Sequence, residues 1–106
     1  MVKNRATAPK VEWRPEHFAW AFLDSPELSV KLEEIPPQGR SEKHSHRKSR
    51  QFFFILEGRA RFLKEEHSYS LEKHEAIEVE PEKSHQILNS GQKPLLFLLI
   101  SYPRVG

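Results

Sequence analysis

The segment HSHRKSRQFFFILEG, His44 to Gly58, decides how this chain is read. Its second half, Gln51 to Leu56, is a dense run of aromatic and aliphatic side chains of the kind that packs well on a pleated surface. Glu57-Gly58 closes that run as a hairpin turn. Its first half places His44 and His46 two residues apart. On extended backbone such residues point to the same face, so two imidazoles can grip one ion. If Gln51 turns inward, Phe53 and Ile55 share its face and form an apolar wall, to which Ile77, Val79 and Ile87 add. Phe52, Phe54 and Leu56 then face a second sheet or a partner subunit.

Working outward, the same two-residue period recurs along the chain. Phe18, Trp20 and Phe22 alternate with Ala19, Ala21 and Leu23 as a strand with one aromatic face. Leu28, Val30 and Leu32 alternate with Ser29, Lys31 and Glu33, which predicts a half-buried strand. Pro36-Pro37-Gln38-Gly39 ends it as a turn, and residues 40–46 alternate again. Strands are also expected over 59–64, 69–71, 76–79, 85–88 and 95–102. No stretch repeats apolar residues at helical spacing over three turns. Eight or nine short strands make an all-β sandwich or closed barrel. Residues 1–16, polar and interrupted by Pro9 and Pro15, read as a loose N-terminal arm before a single domain over 17–106. Trp13, Trp20 and most phenylalanines read as core, because large aromatics dominate small β cores.

Composition sets the outer limits. A chain of 106 residues accommodates one domain, and 37% hydrophobic with 30% charged residues is a soluble, globular balance. The absence of cysteine excludes disulfides, thiolate metal sites and cysteine nucleophiles. No apolar run approaches a membrane span, and the polar start MVKNRATAPK is no secretory signal, so a cytoplasmic protein is expected, with no membrane partner. The net charge of +2 does not by itself imply nucleic acid. Arg40, Lys43, Arg47, Lys48 and Arg50 nevertheless form a basic segment, either a solvated face or a rim beside an anion site. It lacks interleaved stacking aromatics, so nucleic acid is not the expected partner.

The two histidines belong to a longer pattern, H44-S-H46-RKSR-Q51-FFFILE-G58, and a second cluster follows at H85-QIL-N89. Taken together, these segments resemble the two motifs of the cupin superfamily over roughly residues 28–102. The first motif has the form HxH, four residues, Glu, six residues, Gly; the second ends in a metal-ligand His followed by Asn. The resemblance implies a double-stranded β-helix, a jelly-roll barrel, commonly built as a homodimer. It implies one divalent metal ion on His44, His46, Gln51 and His85. Three imidazole nitrogens and an amide oxygen suit Mn, Fe, Co, Ni, Cu or Zn. Departures are also present. Gln51 stands for the family's Glu, His74 for a glycine, Glu80 for a proline and Glu82 for a second glycine. Those turn substitutions are tolerable where the backbone avoids positive φ. His17, His67 and His74 match no ligand position and read as surface residues.

The ligand set shapes the expected chemistry. Four neutral ligands leave the ion its full double charge, which attracts a carboxylate or enolate and disfavours a trivalent oxidised state. The leading expectation is therefore Lewis-acid lyase or isomerase chemistry on a small, anionic, oxygen-rich molecule such as a sugar acid or carboxylate. Metal-dependent dioxygenation and non-catalytic ligand sensing are the alternatives. Phe53 and Ile55 are the candidate substrate-pocket residues. No general acid or base is identifiable.

Overall fold

A computed structural model describes residues 1–105 of the chain. Nine strands make up its regular structure: β1 (Lys10–Arg14), β2 (His17–Ser25), β3 (Leu28–Ile35), β4 (Arg50–Glu57), β5 (Ala60–Lys64), β6 (His67–Leu71), β7 (Ala76–Val79), β8 (His85–Asn89) and β9 (Leu95–Tyr102). They form a six-stranded sheet in the order β1-β2-β3-β9-β4-β7 and a three-stranded sheet in the order β6-β5-β8. Every pairing is antiparallel. The all-β double-stranded β-helix is thus the architecture. Among the described residues, no helix is long and apolar enough to cross a membrane.

The apolar alternation places the core between the sheets. Phe53 and Ile55 of β4, Phe97 and Leu95 of β9 and Ile35 of β3 meet Phe62, Ala60 and Ile87 from the smaller sheet. Burial of these side chains is the main favourable contribution, at roughly 1.5–3 kcal/mol for each large one. Gly58, at φ 91°, turns β4 into β5 where a Cβ would lie 2.9 Å from the Pro94 carbonyl oxygen.

Four sequence expectations change. Residues 10–14 of the supposed loose arm are β1, the edge strand paired with β2. Segment 40–46 is not a continuous strand; it touches β8 through two isolated bridges, Arg40 with Leu88 and His44 with His85. His17 is buried rather than superficial: its Nδ1–H donates to the Pro15 carbonyl at 2.8 Å and its Nε2 accepts the Arg40 amide at 3.1 Å. Finally, the turns at His74 and Glu82 keep φ values of 69° and 71°, so both carry the strain that glycine would avoid.

The alternation in β3 has a consequence for the pocket. Its polar face, Ser29, Lys31 and Glu33, is the one that looks between the sheets. Ser29 is buried opposite Ser101, and Glu33 lies in register with the fully buried Phe97. Val30 and Leu32 instead join the outer face of the large sheet. There, a row Trp20–Leu32–Leu98–Phe54 crosses four strands.

Candidate metal centre

Backbone pairing brings the histidines together. His44 and His85 exchange both of their backbone hydrogen bonds, at 3.0 and 2.9 Å, which sets their rings 4.6 Å apart, centroid to centroid. The carbonyl of His46 accepts the amide of Glu82, fixing the third ring to the turn before β8. The His44–His46 and His46–His85 ring separations are 4.7 and 5.7 Å. One ring nitrogen from each of the three lies within 4.8 Å of the others.

The tautomers favour metal binding. The Nδ1–H of His44 donates to the Glu42 carbonyl at 2.8 Å, and that of His85 to the Lys83 carbonyl at 3.0 Å. Such bonds leave Nε2 as the free lone pair and hold the ring in place, as is usual for metal-ligating histidines. The Nε2 of His46 is buried with no hydrogen-bond partner among the described residues, an arrangement that costs stability unless something occupies it. Burial is the main cause holding His85 down at about pKa 4, with repulsion from His44 and His46 adding to it. His46 is lowered for the same reasons, burial first and His44 second. His46 and His85 are therefore neutral imidazoles at rest, ready to ligate.

Gln51 sits beside this cluster. It is buried on β4, its Nε2 donates to Ser101 Oγ at 3.0 Å, and its Oε1 lies 2.9 Å from His85 Nε2. These residues fit a borderline divalent ion: three nitrogen lone pairs and one amide oxygen converge, and one nitrogen is otherwise orphaned.

A cavity of about 330 Å³ opens beside the cluster, lined by Trp13, Glu33, Ser41, Glu42, His44, Phe53, His85, Ile87 and Leu99. Phe53 supplies part of its wall. Ile55 does not line it; with no exposed surface it belongs to the core below. Ile77 and Val79 likewise pack with the core, whereas Ile87 reaches the cavity. The basic side chains of segment 40–50 do not enter this cavity. Arg47 and Lys48, with Arg104, line a neighbouring cleft that shares His46.

Sequence reading missed Trp13, Glu33, Ser41 and Glu42. Trp13 sits in a segment read as a loose arm, and its indole Nε1 is buried without a partner among the described residues. Arg14 holds the wall in place, donating to the Arg40 carbonyl and to Glu42 Oε1, each at 2.7 Å. Burial pushes the Glu33 carboxyl up to about 7, an effect that Lys31 partly offsets. The only signal for Glu33 was its place on the polar face of an alternating strand. The motif residue Asn89 has a structural task. Its Nδ2 donates to the Ile35 and Lys93 carbonyls at 3.0 and 2.8 Å, and its Oδ1 accepts the Gly91 amide at 2.9 Å.

An antiparallel double-stranded β-helix with an imidazole cluster beside its cavity defines a class of small β-barrel domains. The profile of the Cupin domain (Cupin_2) matches residues 31–101, and the chain belongs to that family. It is 32% identical over 69 residues to the uncharacterized protein MJ1618 of Methanocaldococcus jannaschii, a match covering 65% of this chain and 55% of that relative. The chain thus spans about half the length of that relative. Among solved structures it resembles a predicted oxalate decarboxylase from Thermotoga maritima, with TM-score 0.85, 16% identity and coverage of 98% of this chain and 100% of that one. It also resembles a cupin-superfamily sugar phosphate isomerase from Silicibacter pomeroyi, with TM-score 0.76 and 16% identity, covering 85% of this chain and 61% of that one. Likenesses at these identities establish the fold.

Proposed function

We propose that this protein holds one divalent ion on His44, His46, His85 and Gln51 and uses it to bind and transform a small, oxygen-rich, anionic molecule. The single observation that carries this reading is the convergence of one ring nitrogen from each of three histidines within 4.8 Å, two of the rings held by Nδ1–H bonds to backbone carbonyls. When bound, the ion supplies Lewis-acid stabilisation of charge developing on a ligand oxygen. The chain's own residues do the rest. Phe53, Ile87 and Leu99 offer an apolar floor that excludes water, and Trp13 offers an unengaged N–H to an acceptor. Arg47, Lys48 and Arg104 draw anions toward the His46 side by long-range attraction. The named substrate classes of the two similar structures, an oxalate and a sugar phosphate, are both oxygen-rich anions. The reaction proposed is of lyase or isomerase type.

The outer face of the six-stranded sheet supports a homodimer. Leu98, Phe54 and Phe52 are only half-buried there, beside the buried Trp20 and Leu32. A contiguous apolar patch of this kind marks an interface.

The test is elemental analysis of protein purified without added metal, followed by thermal-shift screening of the loaded and stripped forms. Dicarboxylates and uronates should stabilise the loaded form more than neutral sugars of similar size, and the stripped form should lose that preference. No stoichiometric ion by either elemental analysis or titration would end the metal reading. Equal responses to neutral and anionic ligands would end the anionic one. Tight binding without turnover would leave a sensor; oxygen consumption would make it a dioxygenase.

A further inference from the structure

The cavity beside the histidine cluster contains two carboxylates, and they differ in one respect. Glu42 is engaged by Arg14 at 2.7 Å. Glu33 has no ion pair and no hydrogen bond among the described residues, although it lines the cavity from the middle of β3. Its strand neighbours in register are Ala19 and Phe97, neither of which can solvate a charge. The ionisable groups that share its surroundings are Lys31 on its own strand, Glu42 and His44 from segment 40–46, and His85 from β8; β1, β2 and β9 contribute only Trp13 and apolar side chains. An unpaired carboxyl held in an apolar wall has no stabilising structural task, and residues of this kind concentrate where chemistry is done.

We propose that Glu33 is the proton-exchanging group of this cavity, serving a ligand whose carbonyl oxygen lies toward the histidine cluster. The inference rests on the reading of that cluster as the ligand-binding centre. The carboxylate takes the proton from the carbon next to the carbonyl. The C–H electron pair becomes the new C=C bond, and the carbonyl π pair moves to oxygen. The carboxyl exchanges that proton with solvent and returns one to the same carbon, while the electron pair on oxygen re-forms the carbonyl. No oxidant, reductant or co-reactant is consumed. The histidines are poorly placed for this task, since one ring nitrogen of each is turned to the others within 4.8 Å and that of His85 also to Gln51. A carboxyl near neutrality matches it, because proton transfer is most efficient when the group's affinity lies near the working pH. The ligand class follows: hydroxy- or keto-carbonyl compounds with an acidic C–H, small enough for about 330 Å³.

Two measurements test it. The first is a carbon NMR titration of the glutamate carboxyls in the metal-free chain, with Glu33 assigned by its disappearance in Glu33→Gln. Its midpoint should fall near 7; a midpoint below 5 would overturn the proposal. The second follows loss of carbon-bound protons in heavy water from dihydroxyacetone, pyruvate and galacturonate, using the zinc-loaded chain. At least one probe should exchange, and Glu33→Gln should slow it tenfold or more at equal zinc content, while Glu33→Asp restores part of the rate. Unchanged exchange in Glu33→Gln, no exchange above the protein-free control with any probe, or loss of zinc from Glu33→Gln would each overturn it. Zinc content of the wild-type chain reports separately on the metal centre, so failure of that reading is distinguishable from failure of this one.

Discussion

The Nε2 of His85 lies 2.9 Å from the amide oxygen of Gln51, a residue 34 positions earlier in the chain. With Nδ1–H given to Lys83, a neutral His85 presents a lone pair at that point, and so does the amide oxygen. Two acceptors at this distance repel unless a cation lies near both or the amide turns over to donate. In the orientation observed, Gln51 donates its Nε2–H to Ser101 Oγ and turns its amide oxygen toward His85, as a cation between them would require.

Gln51→Glu tests that geometry directly. A carboxylate adds attraction to the ion, and ligation keeps it ionised. Metal affinity should rise at least tenfold, about 1.4 kcal/mol. Binding of small carboxylates to the loaded form should weaken. Isothermal titration with zinc reads both, and unchanged or weaker metal affinity would remove Gln51 from the ligand set.

Removing a histidine should separate binding from folding. His46→Ala should abolish stoichiometric metal, read by elemental analysis, with little loss of stability in the metal-free chain. His85→Ala should also abolish it, but at a structural cost on the order of 2 kcal/mol. The reason is packing: the His85 ring is buried, stacked 6.1 Å from Phe62 and set against Phe53. Chemical denaturation of both variants without metal measures the difference.

Glu33 should make the fold less stable as pH rises. Its carboxyl titrates near 7 in the folded chain against 4.5 ordinarily, so between these values the unfolded chain gives up its proton first. Stability contributed by the neutral form is therefore lost from about pH 4.5 to 7, and the deficit persists above. Glu33→Gln should gain on the order of 3 kcal/mol over wild type at pH 8 and nothing at pH 4. His85, lowered from 6.5 to about 4, acts oppositely, with its stabilisation lost as pH falls through that range. It is common to both chains, so their difference isolates Glu33. Equal denaturation midpoints at pH 8 would contradict the argument.

His74→Gly should stabilise the fold by roughly 1 kcal/mol, because the β6–β7 turn holds His74 at φ 69°. His74→Ala keeps the strained backbone and should bring no gain. Thermal melts of the two variants compare them.

Leu98→Lys on the outer sheet face should convert a dimer to a monomer, measured by light scattering after size exclusion. Leu98 stands in register with both Leu32 and Phe54, so a charge there faces apolar neighbours on either side. A wild-type chain that is already monomeric would remove the homodimer.

The sequence alone determined the strand class, and through the family resemblance it named the four candidate site residues His44, His46, Gln51 and His85. Two-residue alternation is a local property: it follows from the pleat and needs no knowledge of the partner strand. The spacing His44-x-His46 and the run Gln51 to Leu56 were legible for that reason, and so was the pairing with His85 through the second motif. Alternation does not say which face turns inward, and there the tertiary structure decided. In β3 the apolar face, Val30 and Leu32, went to the outer surface of the large sheet, and the polar face brought Glu33 into the cavity. Trp13 reached the same cavity because residues 10–14 found a partner in β2, a long-range pairing that no local pattern encodes. The histidines of the candidate site could be read from spacing and from the family resemblance, because backbone geometry orients them. The carboxyl of Glu33 is unusual only through its neighbours, and neighbours are set when the two sheets close.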